Sequence, residues 1–148
     1  MKQQPIILNA LEASLEGNIL IEASAGTGKT YTITSLVLRF LLGLTEKERP
    51  LKLEELLIVT FTNAATAELK ERIFKRIVES KECLISQEVE AFDETLVALL
   101  EPFLFDEMAR REAILRLIEA ERTIDQAAIF TIHGFCQRIL SQSALATG

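Results

Sequence analysis

Ala23-Ser24-Ala25-Gly26-Thr27-Gly28-Lys29-Thr30 sets two glycines, a lysine and a threonine in one short run between an apolar segment and a helical one. Gly26 and Gly28 allow backbone conformations and a close approach that a Cβ atom would block, so successive N–H groups can converge on an anion. Lys29 carries a flexible positive charge to the outer phosphates of a nucleotide, and the Thr30 hydroxyl is placed to ligate magnesium. The helix that opens here adds the positive end of its dipole. The run reads as a phosphate-binding loop for a nucleoside triphosphate with magnesium. Its first position, where such loops carry glycine, is Ala23. The plain alternative is a strand-to-helix turn of small residues that binds nothing.

Context supports the loop. Ile19-Leu20-Ile21 reads as a buried strand just upstream, and Ile33, Leu36, Val37, Phe40, Leu41 and Leu44 form an apolar stripe at helical spacing downstream. A second stretch opens with Leu56-Leu57-Ile58-Val59, a continuous apolar run of the kind a fully buried parallel strand uses. Thr62 or Asn63 then caps a helix that carries Leu69, Ile73 and Ile77 at four-residue spacing. Lys70, Arg72, Lys75 and Arg76 fall among its polar positions. Phe61 stands where strand gives way to loop, on the ligand-bearing edge of a doubly wound sheet. A ring there beside Thr62 and Asn63 suits a stacked base and a phosphate; a core Phe with two capping residues fits the chemistry equally well. A third stretch, Ala128 to Leu140, repeats the grammar as an apolar strand, a Thr131-x-His133-Gly134-Phe135 turn and a helix. His133 is the only histidine, and by itself it reads as a hydrogen-bonded structural residue.

The three stretches in this order resemble the start of a superfamily 1 DNA helicase motor of the UvrD and Rep kind. Within that superfamily, Ile21 to Thr30 and Phe130 to Arg138 are most similar to the RecB family, the beta subunits of exodeoxyribonuclease V. The resemblance covers roughly residues 15 to 143. It implies a P-loop NTPase (RecA-like) α/β fold with a parallel sheet and flanking helices. Residues 1–148 are then the N-terminal part of motor domain 1A, with an acidic helical insertion at about 82–125. It also implies ATP and Mg2+ as cofactors, with Ala23 to Thr30 binding the nucleotide and Lys29 and Thr30 catalytic. Thr30 would also be the magnesium ligand, and Phe61, Thr62, Asn63, Thr131 and His133 would lie near single-stranded DNA. The implied partners are DNA, including duplex ends in an intact complex, and RecC- and RecD-like subunits. The implied role is in double-strand break repair and recombination, with an exonuclease domain in the whole protein.

Departures from that pattern are visible. The superfamily carries an adenine-reading Gln upstream of the loop, and the neighbourhood of Leu8 has none. After His133 no Asp-Glu metal pair, γ-phosphate-sensing arginine or second motor domain follows before Gly148. The chain therefore reads as a piece of a longer motor that lacks turnover alone. Phe103-Leu104-Phe105-Asp106-Glu107 has the form of an apolar strand ending in a magnesium-holding acidic pair. Pro102 and the Leu96, Leu99, Leu100 pattern read instead as a helix ending and turning. Two other classes remain open here: a complete small P-loop kinase or NTPase using Asp106 and Glu107, and a nucleotide-binding module without catalysis.

Composition fits one soluble domain, since 148 residues with 49% hydrophobic content can bury a core. No apolar run reaches the length of a membrane span, and Met1-Lys2-Gln3-Gln4-Pro5 is no signal peptide. Cys83 and Cys136 read as two reduced thiols of a cytoplasmic protein. The net charge of −6 comes from the second half: residues 1–80 hold ten basic and ten acidic side chains, and residues 81–148 hold six and twelve. Most of that excess falls between Glu82 and Asp125, in two or three amphipathic helices whose acidic face is solvated surface or a docking face for partners. The remaining organisation is a lead over residues 1–17, a first helix to about Leu44, a charged connector from Thr45 to Pro50, a second strand and helix to about Lys81, and a third to about Ser143. Alternating strands and helices imply a parallel sheet with right-handed crossovers, whose unpaired edge would favour self-association.

Overall fold

The computed structural model describes residues 10–21, 28–47 and 49–146. Five helices and two strands follow one another as α1 (Lys29–Leu42), β1 (Leu57–Thr60), α2 (Asn63–Ser86), α3 (Glu94–Leu104), α4 (Glu107–Arg122), β2 (Ala128–Thr131) and α5 (Ile132–Ala146). Short 3₁₀ turns at Leu53–Glu55, Val89–Ala91 and Ile124–Gln126 join them. The two strands pair in parallel, with Leu57 opposite Ala128 and Thr60 opposite Thr131. Helices α2, α3 and α4 form the crossover between them, so the expected α/β class holds.

The sheet is smaller than the sequence suggests. Ile19-Leu20-Ile21 forms no strand, and Leu20 is 84% exposed. An extended segment becomes a strand only by pairing its backbone N–H and C=O groups with a neighbour. The described sheet contains only β1 and β2. β1 is likewise not fully buried. Leu57 and Val59 are exposed, alternating with half-buried Ile58 and Thr60. α2 packs against both strands, and nothing among the described residues covers Leu57 and Val59 to the same degree.

α2 is the spine of the molecule, and α1, α3, α4 and both strands pack against it. Its Leu69, Ile73 and Ile77 are buried as their spacing predicts, joined by Cys83 and Leu84. Thr62 caps the start by accepting a 3.1 Å bond from the Ala65 N–H. The helix runs past Lys81 to Ser86 and stops at Gln87, which takes a left-handed φ of 59°. Leu96, Leu99, Leu100 and Phe103 of α3 and Ala113, Leu117 and Ala120 of α4 complete the core.

The buried face of α1 is rotated from the stripe read in the sequence. Val37 and Leu41 are buried, but Ile33 is exposed and Leu36, Phe40 and Leu44 are only half buried. The reason is the partner: α1 lies on α2 and α4, which turns Thr34, Ser35, Leu38 and Leu42 inward. The Thr34 and Ser35 hydroxyls donate to the Tyr31 carbonyl at 2.8 and 3.0 Å, so neither is left unsatisfied. Arg39, also buried, donates to the carbonyls of Ala10, Ala13 and Leu44 and so holds the preceding segment against α1. Gly43 ends the helix at φ 74°, and a Cβ there would stand 2.9 Å from the Pro50 nitrogen.

Arg76 is the main exception to the polar face of α2, because it is buried. It lies three residues after Ile73 and one before Ile77, on the helix face that enters the core. Its two terminal nitrogens reach the Asp93 carboxylate, one of them at 3.2 Å, and also the Tyr31 hydroxyl at 2.8 Å. The guanidinium lies 4.8 Å from the Tyr31 ring centroid, and its buried Nε has no hydrogen-bond partner. Asp93 accepts the Tyr31 O–H at 2.5 Å and caps α3 by accepting from the Leu96 N–H at 3.0 Å. Burial disfavours the Arg76 charge, but the bonds to Asp93 and Tyr31 outweigh it and raise its pKa. Arg76 in turn holds Asp93 far below the usual carboxylate range.

A carboxyl that titrates lower folded than unfolded stabilises fully above its ordinary pKa of about 4 and loses that stabilisation as pH falls below it. Asp93→Asn should therefore cost about 2 kcal/mol in urea unfolding at neutral pH, less than a fully buried pair because Asp93 is partly exposed. The gap between variant and wild type should narrow below about pH 4. A gap that stays constant through acid would show that the charge of Asp93 plays no part.

Candidate nucleotide and nucleic-acid interface

Two groups of side chains named from the sequence come into view, one at the start of α1 and one at the end of the sheet. At the first, Gly28 occupies the N-cap position of α1 with φ 85°, a left-handed conformation that L side chains rarely adopt. No described side chain caps this end, and no acidic residue lies in its first turn. The first amides of a helix have no partner inside it, so this end presents donors and a positive dipole. Lys29 is exposed there and Thr30 follows it, half buried. The arrangement fits an anionic ligand with a magnesium ion. Ala23, Ser24, Ala25, Gly26 and Thr27, the remainder of the loop, lie outside the described residues.

Tyr31, next in line, ties this turn to the interior through Arg76 and Asp93. That tie was not read from the sequence. Its signal is Arg76 itself, a charge set among Ile73, Ile77 and Ser80 on the face of α2 that must be buried.

The second group assembles through strand register. Thr60 and Thr131 are paired, so the chain leaves both parallel strands at the same edge. Phe61, Thr62 and Asn63 follow one strand, and Ile132, His133 and Gly134 follow the other. Phe61 is 90% exposed, which excludes the core reading of its ring. Thr62 is spent partly as the α2 cap, but a hydroxyl that accepts one bond keeps its own proton to donate. The Thr60 hydroxyl meets that of Thr66 at 2.5 Å and lies 3.1 Å from the Thr62 carbonyl, which fixes the turn around Phe61. Asn63 is exposed at the first position of α2.

The expected turn at Thr131 to Phe135 is absent, because α5 begins at Ile132 directly after β2. The Thr131 hydroxyl accepts the Gly134 N–H at 3.0 Å and so caps the new helix. A Cβ on Gly134 would meet that same hydroxyl at 3.0 Å, tighter than ordinary contact, which accounts for glycine at this place. His133 is exposed in the first turn. Behind it Phe130 and Phe135 stack with centroids 6.5 Å apart, and Arg138 lies 5.1 Å from the Phe130 centroid.

Asp106 and Glu107 do not end a strand. Asp106 is the N-cap of α4, accepting the Ala109 N–H at 3.0 Å, and Glu107 lies in that helix's first turn. Phe105 before them is 88% exposed. Among the described residues no cluster of His, Cys, Asp or Glu could hold a metal ion, and no helix is long and apolar enough to cross a membrane. Cys83 and Cys136 are both free, the first buried and the second exposed.

An α/β chain whose parallel strands discharge Phe61 and His133 at one edge, with an open helix start after a glycine-rich run, has the form of a helicase motor. Residues 3–148 match the UvrD/REP helicase N-terminal domain, and the chain belongs to that family. It is 47% identical over 144 residues to the RecBCD enzyme subunit RecB of Escherichia coli, a match covering 95% of this chain. The RecB subunit of Haemophilus influenzae is 49% identical over 153 residues, covering 98% of this chain. The RecB subunit of Chlamydia pneumoniae is 38% identical over 132 residues. The chain spans about 12% of the length of each of these relatives.

Two substitutions separate the structural from the surface residues at this edge. Gly134→Ala should cost about 1 kcal/mol by pushing the Thr131 cap aside, while Phe61→Ala should change stability by less than about 0.5 kcal/mol. Chemical unfolding measures both. A loss above about 2 kcal/mol for Phe61→Ala would return that ring to the core.

Proposed function

We propose that this chain is the ATP-binding N-terminal part of motor domain 1A of a RecB-like DNA helicase–nuclease subunit. Residues 1–148 belong to a P-loop (RecA-like) parallel sheet with a helical insertion at about 82–125. The observation that carries the reading is the Ala23–Thr30 run at the open start of α1, in a chain similar over nearly its whole length to RecB subunits. In this reading the α1 amides and Lys29 hold the phosphates of ATP, and Thr30 ligates the magnesium that neutralises them. Phe61 stacks on a base of single-stranded DNA, while Thr62, Asn63, Thr131 and His133 meet its backbone. Thr62 and Thr131 each keep a hydroxyl proton for a phosphate oxygen after serving as caps. In the longer protein, closure of a second motor domain over the nucleotide would move the strand past these contacts. Its role is in cytoplasmic double-strand break repair and recombination beside RecC- and RecD-like subunits, with the exonuclease activity elsewhere in that protein.

A complete small kinase is disfavoured, because Asp106 and Glu107 open helix α4 instead of ending a strand, and no cluster of His, Cys, Asp or Glu among the described residues could hold a metal ion. Titration calorimetry of the chain with ATP and magnesium tests the proposal. Binding heat that disappears in Lys29→Ala, without continuing heat of turnover, is the expected result; unchanged binding in the variant or sustained turnover would contradict it. Binding of a fluorescent oligothymidylate supplies the second test, in which Phe61→Ala should weaken DNA binding about tenfold and leave ATP binding intact. Loss of both together would refute the separation of the two sites.

A further inference from the structure

Tyr31 stands one residue after Thr30, in the first turn of α1. Lys29 in that turn is exposed, Thr30 and Thr32 are half buried, and the buried row of α1 begins only at Thr34. Among the described residues, Tyr31 supplies the side chain of this turn that bonds to another element. Its hydroxyl donates to Asp93 at 2.5 Å and accepts from Arg76 at 2.8 Å. Both bonds have a charged partner, which puts them in the stronger class of hydrogen bond. The Tyr31 carbonyl is held as well, by the hydroxyls of Thr34 and Ser35.

Arg76 and Asp93 also bond each other directly, one pair of atoms at 3.2 Å. The link between α2 and the start of α3 therefore needs no third member, and what the Tyr31 hydroxyl adds is the start of α1. Successive residues point about 100° apart around a helix, so the direction in which Tyr31 is held sets the direction of its neighbours. Lys29 and Thr30 differ in how much that matters. The ammonium of Lys29 rides on a long flexible stem and can follow a phosphate from a displaced turn. The Thr30 hydroxyl lies next to the backbone and moves with it. Magnesium demands near-ideal ligand geometry, so a misdirected hydroxyl is lost to it.

We propose that Tyr31 is a positioning residue of the nucleotide site: anchored by Arg76 and Asp93, it aims the Thr30 hydroxyl at the magnesium that accompanies ATP. The inference rests on the reading of the α1 start as a nucleotide site. It assigns to a residue beyond the Ala23–Thr30 run a task that the run itself does not perform, because that run supplies ligands and Tyr31 supplies their orientation. A phenylalanine at this place would keep the ring beside the Arg76 guanidinium and lose the anchor.

Titration calorimetry of the full chain with ATP, in the presence of magnesium and again in its absence, tests the assignment. Tyr31→Phe should weaken ATP with magnesium by about tenfold and ATP without magnesium by no more than about twofold. Thr30→Val should show the same selective loss, and the double variant should lose no more than either single one, as residues acting on one step do. Ile129→Val trims a buried side chain on β2, outside this network, and should leave both affinities unchanged. Urea unfolding of each variant verifies that it is folded under the titration conditions. Wild-type affinity in Tyr31→Phe, or an equal loss with and without magnesium, would overturn the positioning role, as would additive losses in the double variant. A wild-type chain that binds no ATP, or binding untouched by Lys29→Ala, would instead overturn the nucleotide reading itself and this inference with it.

Discussion

One buried cation organises this molecule. Arg76 enters the core from the middle of α2, and burying it is tolerable only because Asp93 and Tyr31 meet it there. Those two residues come from opposite sides. Tyr31 belongs to the first turn of α1, directly after the phosphate-loop motif, and Asp93 begins α3. Side chains from α1, α2 and the start of α3 are thereby joined at one point. The pairing also offsets the negative charge of Asp93 beside Tyr31, in the first turn of α1.

α2 carries the consequences to the other end of the molecule. Arg76 lies about 20 Å along the helix axis from Asn63, at the rise of an α-helix. The start of α1 is thus gripped at mid-helix, while Phe61 is displayed where the same helix begins. A single rigid element lies between the two candidate sites. Its inner row of Leu69, Ile73 and Ile77 is buried over the second half of that span, and its first turn and a half stands open toward Phe61. Strand register does the rest, since pairing Thr60 with Thr131 is what sets the residues after β1 beside those after β2.

Local chemistry was legible in the sequence, and relations between distant segments were less so. A cap at Thr62 or Asn63, the buried row of α2, and a helix that ends and turns after Pro102 follow from spacing and short-range hydrogen bonding; the structure caps α2 with Thr62 and ends α3 at Leu104. The missed features depend on partners. Ile19-Leu20-Ile21 has strand composition but no neighbour to pair with among the described residues. The stripe on α1 was placed correctly at Val37 and Leu41 and wrongly at Ile33, because the helices it meets, and not its own periodicity, decide which face is covered. Arg76 falls among the polar positions of α2 by residue type, although its place between Ile73 and Ser80 marks a buried row. At Thr131 the expected turn was replaced by an immediate helix, which the Thr131 hydroxyl makes feasible by capping it.

If the Ala23–Thr30 run and the first turn of α1 form the nucleotide site, amide hydrogen exchange of the chain with and without ATP and magnesium will show it. Nucleotide should slow exchange at residues 23–32 and leave the amides around Asp106 and Glu107 unchanged. Protection centred on Asp106 and Glu107, or none at the start of α1, would contradict that site.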